Sequence, residues 1–275
     1  MAVDIVPVFD EQVNRLGLGT YSLTGDDGIE AMTAALDAGY RHVDTARLYE
    51  NEAEVGEAIE ASSVDREELV VATKIGHFEE PEKTPDYVRN GVEESLEKLG
   101  VDTIDLLYHH WPRHPDEIDT VLPVFEELYK SGTVEHLGVS NYRIEDVERA
   151  TDLVDVPLYA NQVEMHPLLP QEEPYEFCRE QDLFVVAYSP LAQGEVFDVP
   201  EIVDVAEKHD TSPAVVSLAW LLSHDGVVAI PRSSSPDHIE DNLAARDLEL
   251  DEEDLERIDS IDDRHRYEDP DWMEW

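Results

Sequence analysis

Residues 69–111 read LVVATKIGHFEEPEKTPDYVRNGVEESLEKLGVDTIDLLYHHW, and this stretch decides the fold. Two short apolar runs, Leu69–Ile75 and Ile104–Trp111, flank an amphipathic segment of helical length. Such runs predict buried strands, and the segment between them predicts a helix, which Thr84 precedes as an N-cap and Gly100 follows as a stop signal. The stretch therefore predicts a strand–helix–strand unit with two parallel strands.

The same alternation continues along the whole chain. The predicted strands are Arg15–Thr20, His42–Thr45, Leu69–Ile75, Ile104–Trp111, Glu135–Ser140, Tyr159–Glu164, Phe184–Ser189 and Val227–Pro231. The predicted helices are Gly28–Ala38, Asn51–Ala61, Pro85–Leu99, Ile118–Lys130, Ile144–Leu153, Glu172–Glu180, Glu201–Ser223 (broken near Pro213) and Pro236–Ala245. Eight such units predict an α/β fold, a closed (β/α)8 TIM barrel of parallel strands with right-handed crossovers.

Segments outside the eight units predict additions to the barrel. The alternating segment Val6–Val13 predicts an N-terminal hairpin that covers the barrel floor. Asp251–Ile261 predicts a C-terminal extra helix, and the tail after it carries Trp272 and Trp275. Because no linker or break in composition interrupts the pattern, we expect residues 1–275 to form a single domain.

The chain is strongly acidic. Its 66 Asp and Glu face 19 Lys and Arg, a formal net charge of −47, while 41% of the residues are hydrophobic and can form a core. Such a charge repels itself in dilute buffer, but at ~1 M salt the Debye length is about 3 Å and the repulsion is screened. The acids stand at positions typical of solvent-facing helix surfaces, as in Glu93–Glu97 and Asp251–Asp254. The composition predicts a salt-dependent protein of an extreme halophile and argues against nucleic-acid binding.

Cysteine content and hydropathy bear on where the protein works. Cys178 stands alone, so no disulfide framework or cysteine zinc site is expected, and we interpret it as a small core residue. The N-terminal residues lack the charged and apolar regions of a signal peptide. No stretch approaches the roughly 20 apolar residues that span a bilayer. We therefore expect a soluble, cytoplasmic protein with no membrane partner.

Residues that can move a proton or hold a charge stand at or just beyond three predicted strand ends. Asp44 and Tyr49 follow the second strand, Lys74 ends the third, and His110 lies near the end of the fourth. In a barrel of parallel strands these ends converge on one site. For any one residue an ordinary structural role is the better interpretation. Four together favour a catalytic site.

This set suits acid catalysis on a carbonyl group. A tyrosine has a reference pKa near ~10, and a neighbouring ammonium such as that of Lys74 is expected to lower it. Asp44 can hold the lysine, and His110 can donate a hydrogen bond to a carbonyl oxygen. Such a set can protonate an oxygen that gains negative charge, as in carbonyl reduction. A nicotinamide cofactor would have to supply the hydride, because side chains cannot.

Motifs at nearly every strand end are similar to those of one family. They are Gly17–Thr20, Arg41–Ala46, Tyr49–Glu52, Val71–Lys74, His110–Pro112, Gly138–Asn141, Asn161–Pro167, Ala187–Leu191 and Ile230–Ser233. In this order they resemble the aldo-keto reductases, and the short loops and tail resemble the prokaryotic 2,5-diketo-D-gluconate reductase branch. The resemblance implies a monomeric, NADP(H)-dependent reductase of aldehydes, ketones, keto sugars or keto acids. It assigns Tyr49 as general acid and Lys74 with Asp44 as its tuning pair. His110 becomes the residue that orients the carbonyl.

The resemblance also implies a cofactor site. Ser140, Asn141 and Gln162 match the positions that hold the carboxamide, for which amide side chains carry both a donor and an acceptor. Tyr188 matches the aromatic residue on which the nicotinamide stacks. The other matched positions are Ser189 and Leu191 beside the pyrophosphate, Thr20 and Thr45 near the ribose, and Arg232, Ser233, Ser234, Ser235, His238, Asp241 and Asn242 at the phosphate end.

The phosphate end favours NADP(H), with NAD(H) tolerated. Arg232 stands where the family has a lysine, and its guanidinium offers a bidentate fork suited to phosphate. The second cation of the family falls on His238, with Asp237 and Asp241 beside it. Weaker positive charge there is expected to loosen the grip on a 2′-phosphate.

The substrate pocket departs from the family pattern. Tyr21, Trp111 and Trp272 are the expected wall residues. The family's tryptophan two residues past the catalytic lysine is absent, because Ile75, Gly76 and His77 follow Lys74. We expect this side of the pocket to be wider, so that the small-molecule carbonyl substrate is not predicted.

Two other classes of function stay open. A metal-dependent barrel hydrolase could use His109, His110 and His166, but it needs paired histidines on the first strand, and Arg15–Thr20 has none. No metal is therefore expected. A non-catalytic barrel that binds NADP(H) or serves a structural role would not need both Tyr49 and Lys74, which weigh against it.

Overall fold

The computed structural model describes residues 15–79, 83–273 and 275. Its strands are β1 Leu18–Gly19, β2 His42–Asp44, β3 Val70–Ile75, β4 Ile104–His109, β5 Val134–Ser140, β6 Leu158–Glu164, β7 Phe184–Tyr188 and β8 Val227–Ala229, and they form one sheet in chain order. Every consecutive pair is parallel. The sheet closes where Leu16 bridges Ala229 and the N–H of Gly17 donates to the Ala229 carbonyl at 2.8 Å. The predicted (β/α)8 barrel is confirmed.

Helices alternate with the strands and surround them. They are α1 Gly25–Ala38, α2 Glu52–Ala61, α3 Pro85–Leu99, α4 Pro115–Ser131, α5 Ile144–Leu153, α6 Glu172–Glu180, α7 Pro200–Lys208, α8 Pro213–Ser223, α9 Pro236–Leu243 and α10 Glu252–Asp259. The segment predicted as Glu201–Ser223 is two helices, because the Ser212 hydroxyl caps a new helix that begins at Pro213. The predicted C-terminal helix is α10, capped by Asp251. Around α3, the Thr84 cap and the left-handed Gly100 are also found as predicted.

Several strands end earlier than the apolar runs predict. β4 stops at His109, so His110 opens the following loop, although its N–H still donates to the Ile75 carbonyl at 2.9 Å. β8 stops at Ala229, two residues before Pro231, which has no N–H to donate to a ladder. Asp44 and Lys74 therefore lie in the last residues of β2 and β3, whereas His110 opens the loop after β4 and Tyr49 lies in a short turn beyond β2.

The core has two layers. Inside the barrel, Val70, Leu106, Tyr108, Val186 and Val228 belong to one buried cluster. A larger cluster fills the space between the strands and the surrounding helices. This packing fixes the strand ends, where the candidate site lies, on a rigid frame.

The acidic runs mostly face solvent, as expected. Glu93, Glu94 and Glu97 are exposed on α3. Asp254 is an exception, because it is buried at the start of α10 and accepts hydrogen bonds from Lys208 and His209, each at 2.7 Å.

Two predictions fall partly outside the described residues. The hairpin at Val6–Val13 lies outside them, and the single domain over residues 1–275 therefore stays a prediction. In the described ranges, no helix combines the length and apolar composition needed to cross a bilayer.

Candidate active site

Asp44, Lys74 and Tyr49 meet at the C-terminal end of the barrel. Lys74 Nζ donates to Asp44 Oδ1 and to the Thr45 carbonyl (2.9 Å), and it lies 3.5 Å from the Tyr49 hydroxyl. Lys74 and Asp44 are each only 1% exposed, so their ion pair is shielded from water. The structure thus brings these three residues into contact.

Burial and pairing determine the charge states. Burial lowers the pKa of Lys74, but the charges and hydrogen bonds of Asp44 and Tyr49 together raise that pKa more, so the ammonium is kept. Burial raises the pKa of Tyr49 and outweighs the opposite effect of Lys74. Lys74 thus acts on Tyr49 in the expected direction, but the net pKa of Tyr49 is raised, because the cost of burying a phenolate exceeds the attraction of the ammonium. Tyr49 consequently holds its proton at neutral pH.

His110 lies beside Tyr49 as a neutral imidazole. The two ring centroids are 6.0 Å apart, and Asn141 Nδ2 donates to the His110 carbonyl at 3.2 Å. Burial, with the Lys74 charge, holds the pKa of His110 well below 6.5. Its Nδ1 is buried without a hydrogen-bond partner in the described part of the chain. A neutral imidazole can donate one hydrogen bond without carrying charge.

Asn51 and Glu52 hold the turn that presents Tyr49, and the sequence reasoning gave them no role. Tyr49 ends a short 3-10 turn that begins at Arg47. The Asn51 amide donates to the carbonyls of Thr20 and Leu23, both at 2.8 Å. Glu52 accepts from the Thr73 hydroxyl at 2.7 Å and so joins the turn to β3. Both residues belong to the motif Tyr49–Glu52, and this position directly after Tyr49 was the signal from which their role could have been predicted.

The predicted carboxamide-binding residues form one connected group. The Ser140 hydroxyl donates to the Gln162 carbonyl (3.0 Å), and Asn141 Nδ2 also contacts the Ser140 hydroxyl (3.1 Å). The Tyr188 hydroxyl donates to Asn141 Oδ1 at 2.9 Å. Gln162 Nε2 donates to Asp44 Oδ2 at 2.7 Å, which joins the group to the Lys74 ion pair.

The predicted ribose contacts are less direct. The Thr20 hydroxyl donates to the Asp44 carbonyl (3.1 Å), and the Thr45 hydroxyl donates to Asn51 Oδ1 (3.0 Å). Both residues are fully buried, and both hydroxyls are already hydrogen-bonded within the protein. On the pyrophosphate side, Ser189 has a left-handed backbone with φ 49°, and Leu191 is half-buried.

The predicted phosphate residues lie just before α9 and along it. Arg232 donates to the Tyr21 carbonyl and to the Ser22 hydroxyl. Ser235 caps α9 and Ser233 bonds to the Ser235 N–H at 3.1 Å. Ser234, His238 and Asp241 are exposed, whereas Asn242 is buried. A guanidinium, several hydroxyls and a helix N-terminus are a donor set that fits a phosphate.

Aromatic residues surround the expected substrate pocket. Tyr21 is 65% exposed and its ring lies edge-on to Tyr49 at 5.2 Å. Trp111 is buried, and the tail places Trp272 and Trp275 against it, each with ring centroids 5.8 Å away. The tail therefore covers this side of the site.

His77 and Phe78 occupy the side that was expected to be wide. The His77 ring lies 4.8 Å from the His110 ring and 4.1 Å from the Phe78 ring. Phe78 in turn packs edge-on against Trp111 and Trp272. Two aromatic rings thus line the side where the tryptophan is missing.

Glu164 anchors the C-terminal tail. The sequence predicted no role for this residue, although it lies in the motif Asn161–Pro167. Its two carboxylate oxygens accept the backbone N–H groups of Tyr267 and Glu268, each at 2.8 Å, and Oε1 also contacts His166 Nε2 at 2.9 Å. These hydrogen bonds hold the pKa of Glu164 below its usual value despite burial. The buried carboxylate therefore joins the tail to the end of β6.

The other chemically active side chains have structural partners. His109 Nδ1 contacts the Tyr142 hydroxyl at 2.7 Å, and His166 contacts Glu164. Cys178 is buried, and burial raises the pKa of its thiol to about 11. Within residues 15–79, 83–273 and 275, no group of three His, Cys, Asp or Glu residues could hold a metal ion.

Known proteins share this sequence and this fold. The model of the "Aldo/keto reductase family" matches residues 15–263. Glyoxal reductase of Bacillus subtilis (strain 168) is 38% identical over 91% of this chain and 89% of its own length. Methylglyoxal reductase DkgA of Escherichia coli (strain K12) is 37% identical over 92% of this chain and 90% of its own length. A solved structure provisionally named 2,5-diketo-D-gluconic acid reductase B superposes with TM-score 0.88 at 32% identity, over 94% of this chain and 91% of that one. The chain belongs to the aldo/keto reductase family.

Proposed function

We propose that the protein reduces aldehydes and ketones to alcohols with NADPH, and that Tyr49 donates the proton. The observation that carries the proposal is the buried contact of Tyr49 with the Lys74–Asp44 ion pair, beside a neutral His110. Relatives named as reductases of glyoxal and methylglyoxal support an oxidoreductase that acts on carbonyl groups.

In the proposed reaction, the substrate carbonyl oxygen lies between Tyr49 and His110. His110 donates a hydrogen bond that orients the carbonyl, and Tyr49 gives its proton to the oxygen as negative charge develops there. The ammonium of Lys74 then stabilises the phenolate that remains. Asp44, held by Gln162, keeps the ammonium in place.

NADP(H) is the proposed cofactor, with NAD(H) tolerated. Ser140, Asn141 and Gln162 would hold the carboxamide, and Tyr188 would lie against the nicotinamide ring. Arg232 and the start of α9 would hold the 2′-phosphate. When bound there, the nicotinamide supplies the hydride.

The working conditions are part of the proposal. The net charge of −47 supports a salt-rich cytoplasm as in an extreme halophile. The resemblance to the aldo-keto reductases supports a monomer, which like charge would favour only at low salt. The fold match to a diketogluconic acid reductase supports placement near that branch.

The direct test is NADPH oxidation in molar KCl with a panel of aldehydes, ketones, dicarbonyls and keto acids. We expect turnover with several members and a lower KM for NADPH than for NADH. Tight NADPH binding without turnover of any member would support a non-catalytic role instead.

A further inference from the structure

Arg266, in the C-terminal tail, is a cation without an anionic partner among the described residues. In a chain with 66 acidic residues, its guanidinium forms no ion pair or hydrogen bond with the described residues, and its Nη1 is buried without an acceptor. Burial lowers the pKa of Arg266, although Tyr188, Glu164 and Asp269 act in the opposite direction. A half-buried cation of this kind calls for an anion that the described protein does not supply.

The acids nearest to Arg266 are committed elsewhere. Glu164 and Asp269 are the carboxylates that act on its charge. Glu164 accepts two backbone N–H groups and contacts His166. Asp269 Oδ1 accepts from the Trp275 indole at 2.9 Å. Neither forms an ion pair with Arg266 in the described part of the chain.

The position of Arg266 relates it to the substrate pocket. Its guanidinium lies over the Trp275 ring at 3.7 Å, and that ring contacts Trp111, the residue after His110. Burial raises the pKa of Tyr188, and Arg266 is close enough for its charge to oppose that rise. Through Trp275, the cation therefore stands beside Trp111, an expected wall residue of the substrate pocket.

A second arginine stands at the rim of the same wall. Arg113 is exposed, and its guanidinium has no acceptor among the described residues. With Trp272 and Met273 it lines a cavity of about 150 Å³. Arg143 also lines this cavity but is paired with Glu145 and Asp146, both at 2.8 Å. Two arginines without acceptors thus flank the tryptophans of the tail.

We propose that Arg266, with Arg113 at the rim, binds a carboxylate of the substrate. The preferred substrates are then carbonyl compounds that carry a carboxylate, such as keto acids and keto sugar acids, rather than neutral dicarbonyls. In a protein of net charge −47, an anionic substrate needs such local positive charge, because the surrounding field repels it. The inference rests on the proposed function, since it deepens the specificity of that site.

The test compares matched aldehydes in molar KCl with NADPH: 4-carboxybenzaldehyde against benzaldehyde, and succinic semialdehyde against butanal. We expect the unsubstituted protein to favour one or both carboxylated members by about tenfold or more in kcat/KM, as for a charge-assisted hydrogen bond. Arg266→Gln should remove most of that preference, while Arg266→Lys should keep part of it. Arg149→Gln is the matched control, because it removes an equal charge from an exposed ion pair with Asp119 and should leave the preference unchanged.

Equal preference in the original protein and in Arg266→Gln would overturn the inference. A weaker NADPH affinity in Arg266→Gln, with the preference unchanged, would also overturn it and assign Arg266 to the cofactor. Tryptophan fluorescence titration with the same four aldehydes measures binding without turnover. If none is reduced, the proposed function fails, and the binding ratio of each pair still decides the inference.

Discussion

Lys74 is the residue on which the charge balance of the site depends. Asp44→Asn keeps the shape of the partner but leaves the buried ammonium without its counter-charge. We expect kcat to fall by about 10²-fold, within the range of acid–base catalysis, and the free energy of unfolding to fall by about 3–5 kcal/mol. Steady-state kinetics and urea unfolding in molar KCl measure both. Asp119→Asn, which breaks an exposed ion pair with Arg149, is the control and should cost no more than about 1 kcal/mol.

The ion pair of Asp44 and Lys74 should also affect the stability of the protein at basic pH. The pKa values of Lys74 and Tyr49 are both raised in the folded state. A raised pKa contributes stability that is present below the unfolded value, about 10, and is lost as pH rises through the folded value. We therefore expect the original protein to lose more unfolding free energy above about pH 10 than Asp44→Asn does. If the original protein and Asp44→Asn lose the same amount of unfolding free energy above about pH 10, the predicted stabilisation of Lys74 by Asp44 is contradicted.

His110 should show no titration near neutrality. Its pKa lies well below 6.5, and that of the neighbouring His77 is lowered to about 4. At saturating NADPH, we expect kcat to change little between about pH 7.5 and 5.5, since an unperturbed histidine would titrate near 6.5. A limb in the pH profile of kcat near 6.5 that disappears in His110→Gln would show that the imidazole is charged instead.

At the scale of elements, the tail depends on one side chain of β6. Glu164→Gln replaces one acceptor oxygen by an amide, so the two backbone N–H groups of Tyr267 and Glu268 cannot both be satisfied. We expect trypsin to cleave after Arg264 or Arg266 faster than in the original protein, and Glu135→Gln, an exposed change on β5, to leave cleavage unchanged.

The pH dependence of the tail follows from the same carboxylate. Because its pKa is lowered in the folded state, Glu164 contributes stability above its unfolded pKa of about 4.5, and that contribution is lost as pH falls below it. Tryptophan emission should shift towards that of exposed indole in this acid range. If Glu164→Gln shows the same shift of tryptophan emission at acid pH, the acid response of the tail does not depend on this carboxylate, which would contradict the prediction.

Local patterns predicted the elements well where the cause is local. The break near Pro213 and the stop at Gly100 were predicted because a proline without an N–H and a glycine with positive φ act within a turn. The early end of β4 was missed, because the apolar run continues to Trp111 after the ladder stops. The anchor of the tail was also missed, since Glu164 and Tyr267 meet only in three dimensions.

The candidate site was predictable as a set of residues but not as a charge balance. Barrel topology brings Asp44, Lys74 and His110 to one rim, so their convergence follows from strand order. Whether the pKa of Tyr49 is raised or lowered depends on how completely the phenol is buried, and the sequence pattern does not predict this degree of burial. The free guanidinium of Arg266 likewise becomes visible only when its surroundings are known.

At the scale of the molecule, salt should set stability. Exposed acids on helices such as α3 repel one another at low ionic strength, and the Debye length falls from about 10 Å at 0.1 M to about 3 Å at 1 M. We expect the thermal midpoint to rise steadily between these KCl concentrations. A native circular dichroism spectrum with full stability in salt-free buffer would rule out the salt requirement.

The central claim is that Tyr49 donates the proton in carbonyl reduction. Its most direct test is the turnover of NADPH with an accepted aldehyde by Tyr49→Phe in molar KCl, together with NADPH affinity from fluorescence titration. Tyr129→Phe, which removes a hydroxyl from α4, serves as the control. We predict that Tyr49→Phe loses about 10²-fold or more in kcat and binds NADPH as before, while Tyr129→Phe behaves like the original protein. Unchanged turnover in Tyr49→Phe would contradict the account.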